Sequence, residues 1–399
     1  MTTQRSVGAW TWPPFVLGAL LAALALSVAA PARAWSPTTE SPRPVRGPAG
    51  MRDLYAACGA PDAALIDVAT HLAVRRAKGG PPPAADLLVT QLRAAGAPYL
   101  WPRAWALKGG SDIAGSRLAR WAEGAPPGPR RCGVARAIDE RGRSVLAAVS
   151  AAAAADLEPL PRRVRQGQWI ALQARLRDVA SGAKVVLLGP RGRPRRVLAS
   201  LSGAGPGQIL RSRFTLDQPG RWLVQVVADL EGGPRPVLEA LVFADVAPHG
   251  GPTEEEASDV DEAAAAKPKD GEADPDAPGN ELWARLNRAR RSEGMSALRR
   301  DPQLDAVARR HAKHMARTGR TAHDVGAGSP RVRAARAGVR ARHLGENVAS
   351  APTIDRVHRA LWNSPSHREN MLDRNFRRVG VAVVRTARGR RYAVQLYAD

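Results

Sequence analysis

The amino-acid sequence predicts a multidomain protein in which two blocks of mixed helix and strand flank an all-β block. Its 399 residues are enough for two or three domains, and a hydrophobic content of 44% supports packed cores. Residues 156–247 contain short apolar alternations between Gly and Pro turns, which is typical of a small antiparallel β-sandwich. Residues 51–155 and 281–399 instead contain amphipathic helices followed by strand pairs. We therefore expect three folded domains joined by polar segments.

Residues 1–34 have the features of a secretory signal peptide. Arg5 precedes an apolar run from residue 15 to 30, and Ala32 and Ala34 frame a small-x-small cleavage motif. An uncleaved membrane anchor is the alternative, but the apolar run is short for a membrane span. We therefore expect export to the periplasm, the cell surface or the extracellular medium, with no transmembrane helix after cleavage.

The chain is strongly basic, with a formal net charge of +23 and a pI near 11.4. Only six of its 60 basic residues are lysine, so 54 are arginine. Biased codon usage would also produce this skew, and an exported protein has little access to nucleic acid. The expected contact of the basic surface is therefore an anionic envelope polymer or a lipid headgroup, and nucleic acid is not an expected partner.

Residues 51–155 repeat parts of residues 281–399 in weakened form. The correspondence includes the pairs Asp62 with Asp301, Leu65 with Leu304, Val68-Ala69 with Val307-Ala308, Gly133 with Gly380 and Gly142 with Gly389. The second glycine of each block is expected to turn a hairpin between two strands. A chance match between helices rich in Ala and Arg is the alternative.

The two cysteines, Cys58 and Cys132, both lie in the N-terminal block. In the proposed correspondence Cys58 precedes the long helix and Cys132 begins a hairpin strand, so a disulfide is feasible and would persist in an exported protein. Two buried free thiols are the alternative.

Two segments are expected to connect domains rather than to fold. Residues 35–50 are rich in Pro, Ser and Thr and predict a mobile tether. Residues 248–280 hold ten acidic residues and two lysines, which predicts a disordered acidic linker. A solvated spacer is the simpler interpretation, and an acidic strap that screens the basic C-terminal block is the alternative.

The C-terminal block places several polar side chains beside helix ends. A helix from Pro302 to Thr318 has an apolar face that includes His311, which we interpret as a core histidine. His323 follows the end of this helix, and Glu346 and His367 follow in the strings GENVA and NSPSHRENML. These three residues predict a cleft, although helix capping and loop pinning would use the same residue types. The expected supporting residues around the cleft are Asn347, Arg368, Asn370 and Gln395.

Residues 281–399 resemble a bacterial CAP domain, the superfamily of cysteine-rich secretory proteins, antigen 5 and pathogenesis-related proteins, also called the SCP domain. The resemblance rests on motifs in the correct order: Leu286-Asn287, Gly294-Met295, the helix DPQLDAVARRHAKHMARTGR, His323, GENVA, NSPSHRENML, VGVAVV and YAVQLYAD. It implies an α-β-α sandwich. It also implies that residues 51–155 form a degenerate CAP-like α+β domain that lacks the counterparts of Glu346 and His367.

The resemblance implies a cavity in which two His and two Glu can hold a divalent ion. His323, Glu346 and His367 match three of these positions, whereas the second glutamate is replaced at Asn363-Ser364. A zinc site of modest affinity formed by His323, His367 and Glu346 is therefore the metal hypothesis.

Two functions follow from this set of residues. The first is an exported, non-enzymatic binding or envelope-interaction protein whose His/Glu cleft takes a lipid, glycan, protein or divalent metal. The second is a metal-dependent hydrolase of peptides or cell wall, with Glu346 as general base on a metal-held water. No nucleophilic Ser or Cys accompanies these residues, which favours the first function.

Overall fold

The computed structural model describes residues 38–41, 50–82, 85–109, 114–125, 128–231, 233–248 and 276–399. The predicted signal peptide lies outside these residues, as do most of the predicted tether and of the acidic linker. Within the described residues no helix is long and apolar enough to cross a membrane.

The N-terminal block consists of helices packed on a four-stranded sheet with the strand order β2-β4-β5-β3. Its elements are β1 (Thr38–Thr39), α1 (Arg52–Cys58), β2 (Ala60–Pro61), α2 (Ala63–Ala77), α3 (Ala85–Ala94), β3 (Leu100–Lys108), α4 (Ala114–Glu123), β4 (Arg130–Ile138) and β5 (Ser144–Ala152). Alternate residues of β5 enter two separate cores: Ala147 and Val149 pack with α2, and Leu146 and Ala148 pack with α1 and α4. The sheet is therefore covered on both faces.

Cys58 and Cys132 form a disulfide, with their Cα atoms 5.8 Å apart. It joins the end of α1 to β4, beside the short parallel pairing of β2 with β4. The disulfide closes a loop that contains α2, α3, β3 and α4.

The central block has two sheets that share one core, to which strands of both sheets contribute. Its strands are β6 (Ala155–Leu157), β7 (Leu160–Pro161), β8 (Arg163–Val164), β9 (Ile170–Leu176), β10 (Gly182–Leu188), β11 (Arg195–Val197), β12 (Ala199–Ser202), β13 (Ile209–Phe214), β14 (Gly220–Leu230) and β15 (Gly233–Ala244). The two sheets have the orders β11-β10-β14-β15-β8 and β12-β13-β9-β6. All pairings in them are antiparallel except that of β15 with β8.

The C-terminal block has a four-stranded sheet with the order β16-β18-β19-β17. Its elements are α5 (Ala277–Ser292), β16 (Arg299–Arg300), α6 (Pro302–Thr318), α7 (Pro330–Arg336), β17 (Leu344–Ala351), α8 (Ile354–Trp362), α9 (Pro365–Met371), β18 (Arg378–Arg385) and β19 (Arg391–Ala398). Ala393 and Tyr397 pack with α5, α8 and α9, whereas Val394 and Leu396 pack with α6 and α7. The chain is thus a mixed α/β protein with several sheets, as the sequence predicts.

The N-terminal and C-terminal sheets have the same connectivity. In each, a two-residue strand pairs in parallel with the first strand of a hairpin, and the second hairpin strand pairs with an earlier strand. An aspartate caps the helix after the short strand in both blocks: Asp62 accepts from the Leu65 amide, and Asp301 accepts from the Leu304 amide.

Two element boundaries differ from the sequence prediction. Thr38 and Thr39, predicted within the mobile tether, pair with β7 as a short strand. Backbone hydrogen bonds from the next two amides to Gly96 and Leu157 hold this segment in place. Helix α5 begins at Ala277 and so includes the last residues of the predicted acidic linker. The Pro at its first turn is compatible with helix initiation.

We predict that Gly133→Ala and Gly380→Ala each destabilise the protein, because the strand backbone touches the helix backbone at these glycines. A Cβ on Gly133 would lie 2.0 Å from the carbonyl carbon of Leu65, and a Cβ on Gly380 would lie 2.2 Å from that of Leu304. Backbone atoms cannot move aside as a flexible side chain can, so we expect a loss of about 2 kcal/mol or more. Thermal unfolding followed by circular dichroism measures this loss.

The matched control is Gly115→Ala in α4, where an added Cβ would meet no described atom within 4 Å apart from its chain neighbours and the backbone of its own helix. This variant should be neutral or more stable by up to about 1 kcal/mol, since Ala favours helix over Gly. Equal unfolding midpoints for Gly133→Ala and Gly115→Ala would contradict the close helix–strand approach.

Candidate functional site

The three predicted cleft residues come from three different elements around the C-terminal sheet. Helix α6 ends at Gly319, which adopts a left-handed conformation with φ 68°, and His323 lies in the loop that follows. Glu346 lies on β17 opposite Leu396, and His367 lies in the first turns of α9. The structure brings His323 and Glu346 into direct contact.

Glu346 is the centre of a buried ionic cluster. Its Oε1 lies 2.8 Å from Nδ1 of His323 and 4.0 Å from Nε2 of His311, and its Oε2 forms an ion pair with Arg333. Burial alone would raise the pKa of the Glu346 carboxyl, but the hydrogen bond from His323 and the charges of His323 and Arg333 outweigh it and lower the pKa. Glu346 is therefore an anion at neutral pH, although its side chain is 1% exposed.

Arg333 and His311 also belong to this cluster, although the sequence does not predict their place in it. Arg333 lies on α7, which Ser329 caps, and it also donates to the carbonyl oxygens of His323 and Gly328. It therefore ties the loop after α6 to β17. No sequence signal distinguishes Arg333, because arginine is so abundant in this chain.

His311 is buried, as its position on the apolar face of α6 predicts. Burial lowers the pKa of its imidazole, which is consequently neutral at physiological pH. Nε2 lies 2.9 Å from the carbonyl oxygen of Ala322 and must donate to it. Its Nδ1 has no hydrogen-bond partner within the described residues.

His367 is half-buried, and burial together with the nearby charge of His323 lowers the pKa of its imidazole to about 3. Its Nδ1 has no partner in the described part of the chain. Its backbone carbonyl accepts a hydrogen bond of 3.0 Å from Asn347 Nδ2. Asn347 therefore holds the start of α9 against β17.

Asn347 belongs to an amide network on the opposite face of β17 from Glu346. Its Nδ2 lies 3.3 Å from Gln395 Oε1 and 3.1 Å from the Tyr397 hydroxyl, and its Oδ1 accepts from Asn370. The Tyr397 hydroxyl donates to Gln395 Oε1 at 2.6 Å, and burial raises the pKa of this phenol. Of the four predicted supporting residues, Asn347, Asn370 and Gln395 thus meet in one network beneath α9.

Arg368, the fourth predicted supporting residue, is directed elsewhere. Its guanidinium stacks on the Trp362 ring at 3.8 Å and lies 2.9 Å from Glu293. The two acidic residues nearest in sequence to the missing second glutamate are also engaged away from the cluster. Asp355 pairs with Arg285, and Glu369 pairs with two cations of the central block.

A family model described as CAP, the cysteine-rich secretory protein family, matches residues 283–397. The C-terminal block is a CAP domain. The matched range includes His323, Glu346 and His367.

Several solved structures are similar to parts of the chain. An outer surface protein from Borrelia burgdorferi matches with 22% identity and a TM-score of 0.31, over 32% of this chain and 96% of its own. An extracellular SCP-domain protein from Bacillus anthracis matches with 16% identity and a TM-score of 0.30, over 62% of this chain and 86% of its own. A cysteine-rich secretory protein from Staphylococcus aureus matches with 11% identity and a TM-score of 0.28, over 62% of this chain and 82% of its own. A comparison with curated proteins gave no match.

The buried ionic cluster around Glu346 does not fit a metal ion in this arrangement. Among the described residues, no group of three or more His, Cys, Asp or Glu side chains is placed to hold a metal. Both oxygens of Glu346 already accept hydrogen bonds, one of them from the Arg333 guanidinium. A divalent cation at Glu346 would have to displace that guanidinium or lie beside its positive charge.

The central block packs against α9 of the CAP domain. The Ser366 amide donates to Gln225 Oε1 at 3.1 Å, and Gln225 is buried on β14. Glu369 lies 2.7 Å from Lys184 and 2.8 Å from Arg196. A Cβ on Gly233 would lie 4.0 Å from the Cβ of His323. The His323 and His367 side of the CAP domain therefore faces the central block.

We predict that Glu346→Gln destabilises the CAP domain by about 3 kcal/mol, since it leaves the buried Arg333 charge without an anion. Chemical denaturation of the full chain measures the change. The control is Glu281→Gln, which removes an exposed carboxylate paired with Arg285 and should change stability by about 0.5 kcal/mol or less. Equal stability of the two variants would exclude a structural role for the Glu346 ion pair.

We also predict that His367 contributes to a loss of stability at acid pH. Its folded pKa of about 3 is below the ordinary value of 6.5, so between these values the unfolded chain takes up the proton first. The contribution is therefore complete above pH 6.5 and is lost as the pH falls towards 3, by at most about 1.4 kcal/mol per pH unit.

Denaturant unfolding of wild type and His367→Gln across this pH range gives the difference in slope. His343→Gln, which replaces an exposed imidazole, is the control and should keep the wild-type slope. A wild-type slope in His367→Gln would show that His367 titrates normally in the folded protein.

Proposed function

We propose that the chain is an exported, non-enzymatic protein that binds an anionic component of the cell envelope. The observation that carries this proposal is the state of Glu346, whose two oxygens are engaged by His323 and Arg333. A carboxylate held in this way stabilises the CAP domain and is not available to activate a water. The net charge of +23 supports an anionic partner.

The alternative, a metal-dependent hydrolase, requires Glu346 as general base and His323 and His367 as metal ligands. A general base works best with a pKa near the working pH, whereas the surroundings of Glu346 lower its pKa. The guanidinium of Arg333 beside Glu346 opposes a divalent cation at the same place. The geometry therefore favours the binding function.

The central block of the same chain lies against the cleft that the sequence predicts for a lipid, glycan or protein. Ser366 and Glu369 flank His367 on α9, and both bond to the central block. We infer that the central block, as a small β-sandwich, is the intramolecular ligand of this cleft. External ligands of the CAP domain then bind elsewhere on its surface.

Export is supported by the disulfide between Cys58 and Cys132, because such bonds persist in oxidising compartments. Export to the periplasm, the cell surface or the medium is compatible with it. The signal peptide predicted for residues 1–34 lies outside the described residues.

We also propose that residues 51–155 are a degenerate CAP-like copy without a site. The shared strand order and the helix-capping aspartates support this proposal. In the N-terminal sheet, Val149 pairs with Gly133 on one side and with Ala104 on the other. In the C-terminal sheet, Leu396 pairs in the same way with Gly380 and with Glu346. Ala104 thus takes the position of Glu346, and Trp105 takes that of Asn347.

Incubation of the purified full chain with isolated cell-wall sacculi tests both functions. We expect the protein to sediment with the sacculi in a salt-sensitive manner and to release no soluble fragments. We also expect metal analysis to find no stoichiometric zinc, with the same result for His323→Ala and His367→Ala. Release of fragments by wild type that His323→Ala or His367→Ala abolishes would establish the hydrolase instead. Absence of sedimentation at low salt would refute envelope binding.

A further inference from the structure

A groove with a volume of about 730 Å³ lies between α6 and α7 of the CAP domain. Both helices pack on the sheet face opposite to α8 and α9, and every residue that lines the groove belongs to the CAP domain. Its volume is within the usual range for sites of small organic ligands. Neither the predicted cleft nor the proposed intramolecular contact uses it.

Within the part of the chain that the structure describes, the groove is lined by five cationic side chains and by no acidic one. These cations are Arg310, Lys313, Arg317, Arg333 and Arg336. Arg310, Lys313 and Arg317 are exposed and form no salt bridge within the described part of the chain. Successive cations one turn apart on α6 repel each other, and an anion between the two helices would relieve this repulsion.

The floor of the groove holds two buried side chains with unused hydrogen-bonding atoms. His311 is 1% exposed and its Nδ1 has no partner, and Arg333 is 8% exposed and its Nε has no partner, in both cases within the described residues. Ala306, Val307 and Ala337 supply apolar wall around them. Arg333 Nε is a buried donor without a partner among the described residues, which is costly and indicates a ligand that offers an acceptor. Nδ1 of His311 is an acceptor, because Nε2 carries the ring proton, and it does not contribute to the binding of an anion.

We propose that this groove binds a phosphate-type oxyanion carried on a small organic group, such as a phosphoglycerol headgroup. Phosphate oxygens accept several hydrogen bonds at once, and arginine matches their geometry with its planar fork of donors. A bare phosphate fills little of the volume, so the attached group lies along the apolar wall. The inference rests on the proposed envelope binding and gives it a site.

Arg333 is shared between the groove and the Glu346 cluster. Its Nη2 forms the ion pair with Glu346, while its Nε has no partner among the described residues. Glu346 and the carbonyl oxygens of His323 and Gly328 hold the guanidinium in place. The ionic cluster thus positions one cation of the groove before any ligand binds, which lowers the ordering cost of binding.

Titration calorimetry of the full chain with glycerol 3-phosphate and with inorganic phosphate tests the site. The site variant is Arg310→Gln with Lys313→Gln, two exposed changes that leave the buried Glu346 cluster intact. The control is Arg374→Gln with Arg388→Gln, which removes the same charge at exposed positions that do not line the groove. We expect the site variant to weaken glycerol 3-phosphate binding at least about tenfold and the control to leave it near the wild-type value.

Flotation with vesicles of phosphatidylglycerol in phosphatidylcholine, against pure phosphatidylcholine vesicles, distinguishes the source of the phosphate. Binding to phosphatidylglycerol vesicles that the site variant loses identifies a lipid headgroup. Binding to glycerol 3-phosphate without vesicle binding identifies a soluble phosphoester. If inorganic phosphate and glycerol 3-phosphate bind with equal affinity, the groove is a site for free phosphate and the attached organic group makes no contribution.

Two results would overturn the inference: no phosphate compound binds, or the site and control variants weaken binding equally. Retention on sacculi by the site variant, with phosphate binding lost, would leave the proposed envelope function intact on another surface. If wild type does not sediment with sacculi but still binds glycerol 3-phosphate, the envelope function is refuted and the groove remains a phosphate site.

Discussion

The architecture around the CAP site depends on one buried carboxylate. Removing Glu346 from water costs several kcal/mol unless its charge is compensated, and the compensation comes from Arg333 on α7 and His323 in the loop after α6. Because these partners lie on different elements, the ion cluster fixes the loop, the short helix and β17 relative to one another. The fixed geometry also explains why Arg333 reaches both the cluster and the α6/α7 groove.

The pleat of β17 separates this ionic cluster from the amide network. Successive side chains of a strand point to opposite faces, so Glu346 faces α6 and α7 whereas Asn347 faces α9. Asn347 holds the backbone of His367, and α9 in turn carries the contacts to the central block. One pair of adjacent residues therefore serves two surfaces: a cationic groove on one face and an interdomain contact on the other.

Local signals in the sequence predict the elements well, because caps, turns and helical faces depend on neighbouring residues. Asp301 and Thr353 each cap the helix that directly follows them, and Gly319 ends α6. The order of motifs was enough to identify the CAP domain.

The contacts that define the candidate site could not be predicted in the same way. Arg333 is one of many arginines, and its pairing with Glu346 depends on how α7 packs on the sheet. Glu369 is close to His367 in sequence, yet it pairs with Lys184 and Arg196, more than 170 residues away along the chain. Long-range electrostatic partners leave no periodic signal, so only the fold shows which of the abundant cations meets each carboxylate.

If the N-terminal block is a degenerate copy, Ala104 in place of Glu346 shows that this sheet can form without a buried carboxylate. In the CAP domain each charge of the buried pair offsets the desolvation cost of the other, so the ionic cluster stabilises the domain and also holds Arg333 at the groove.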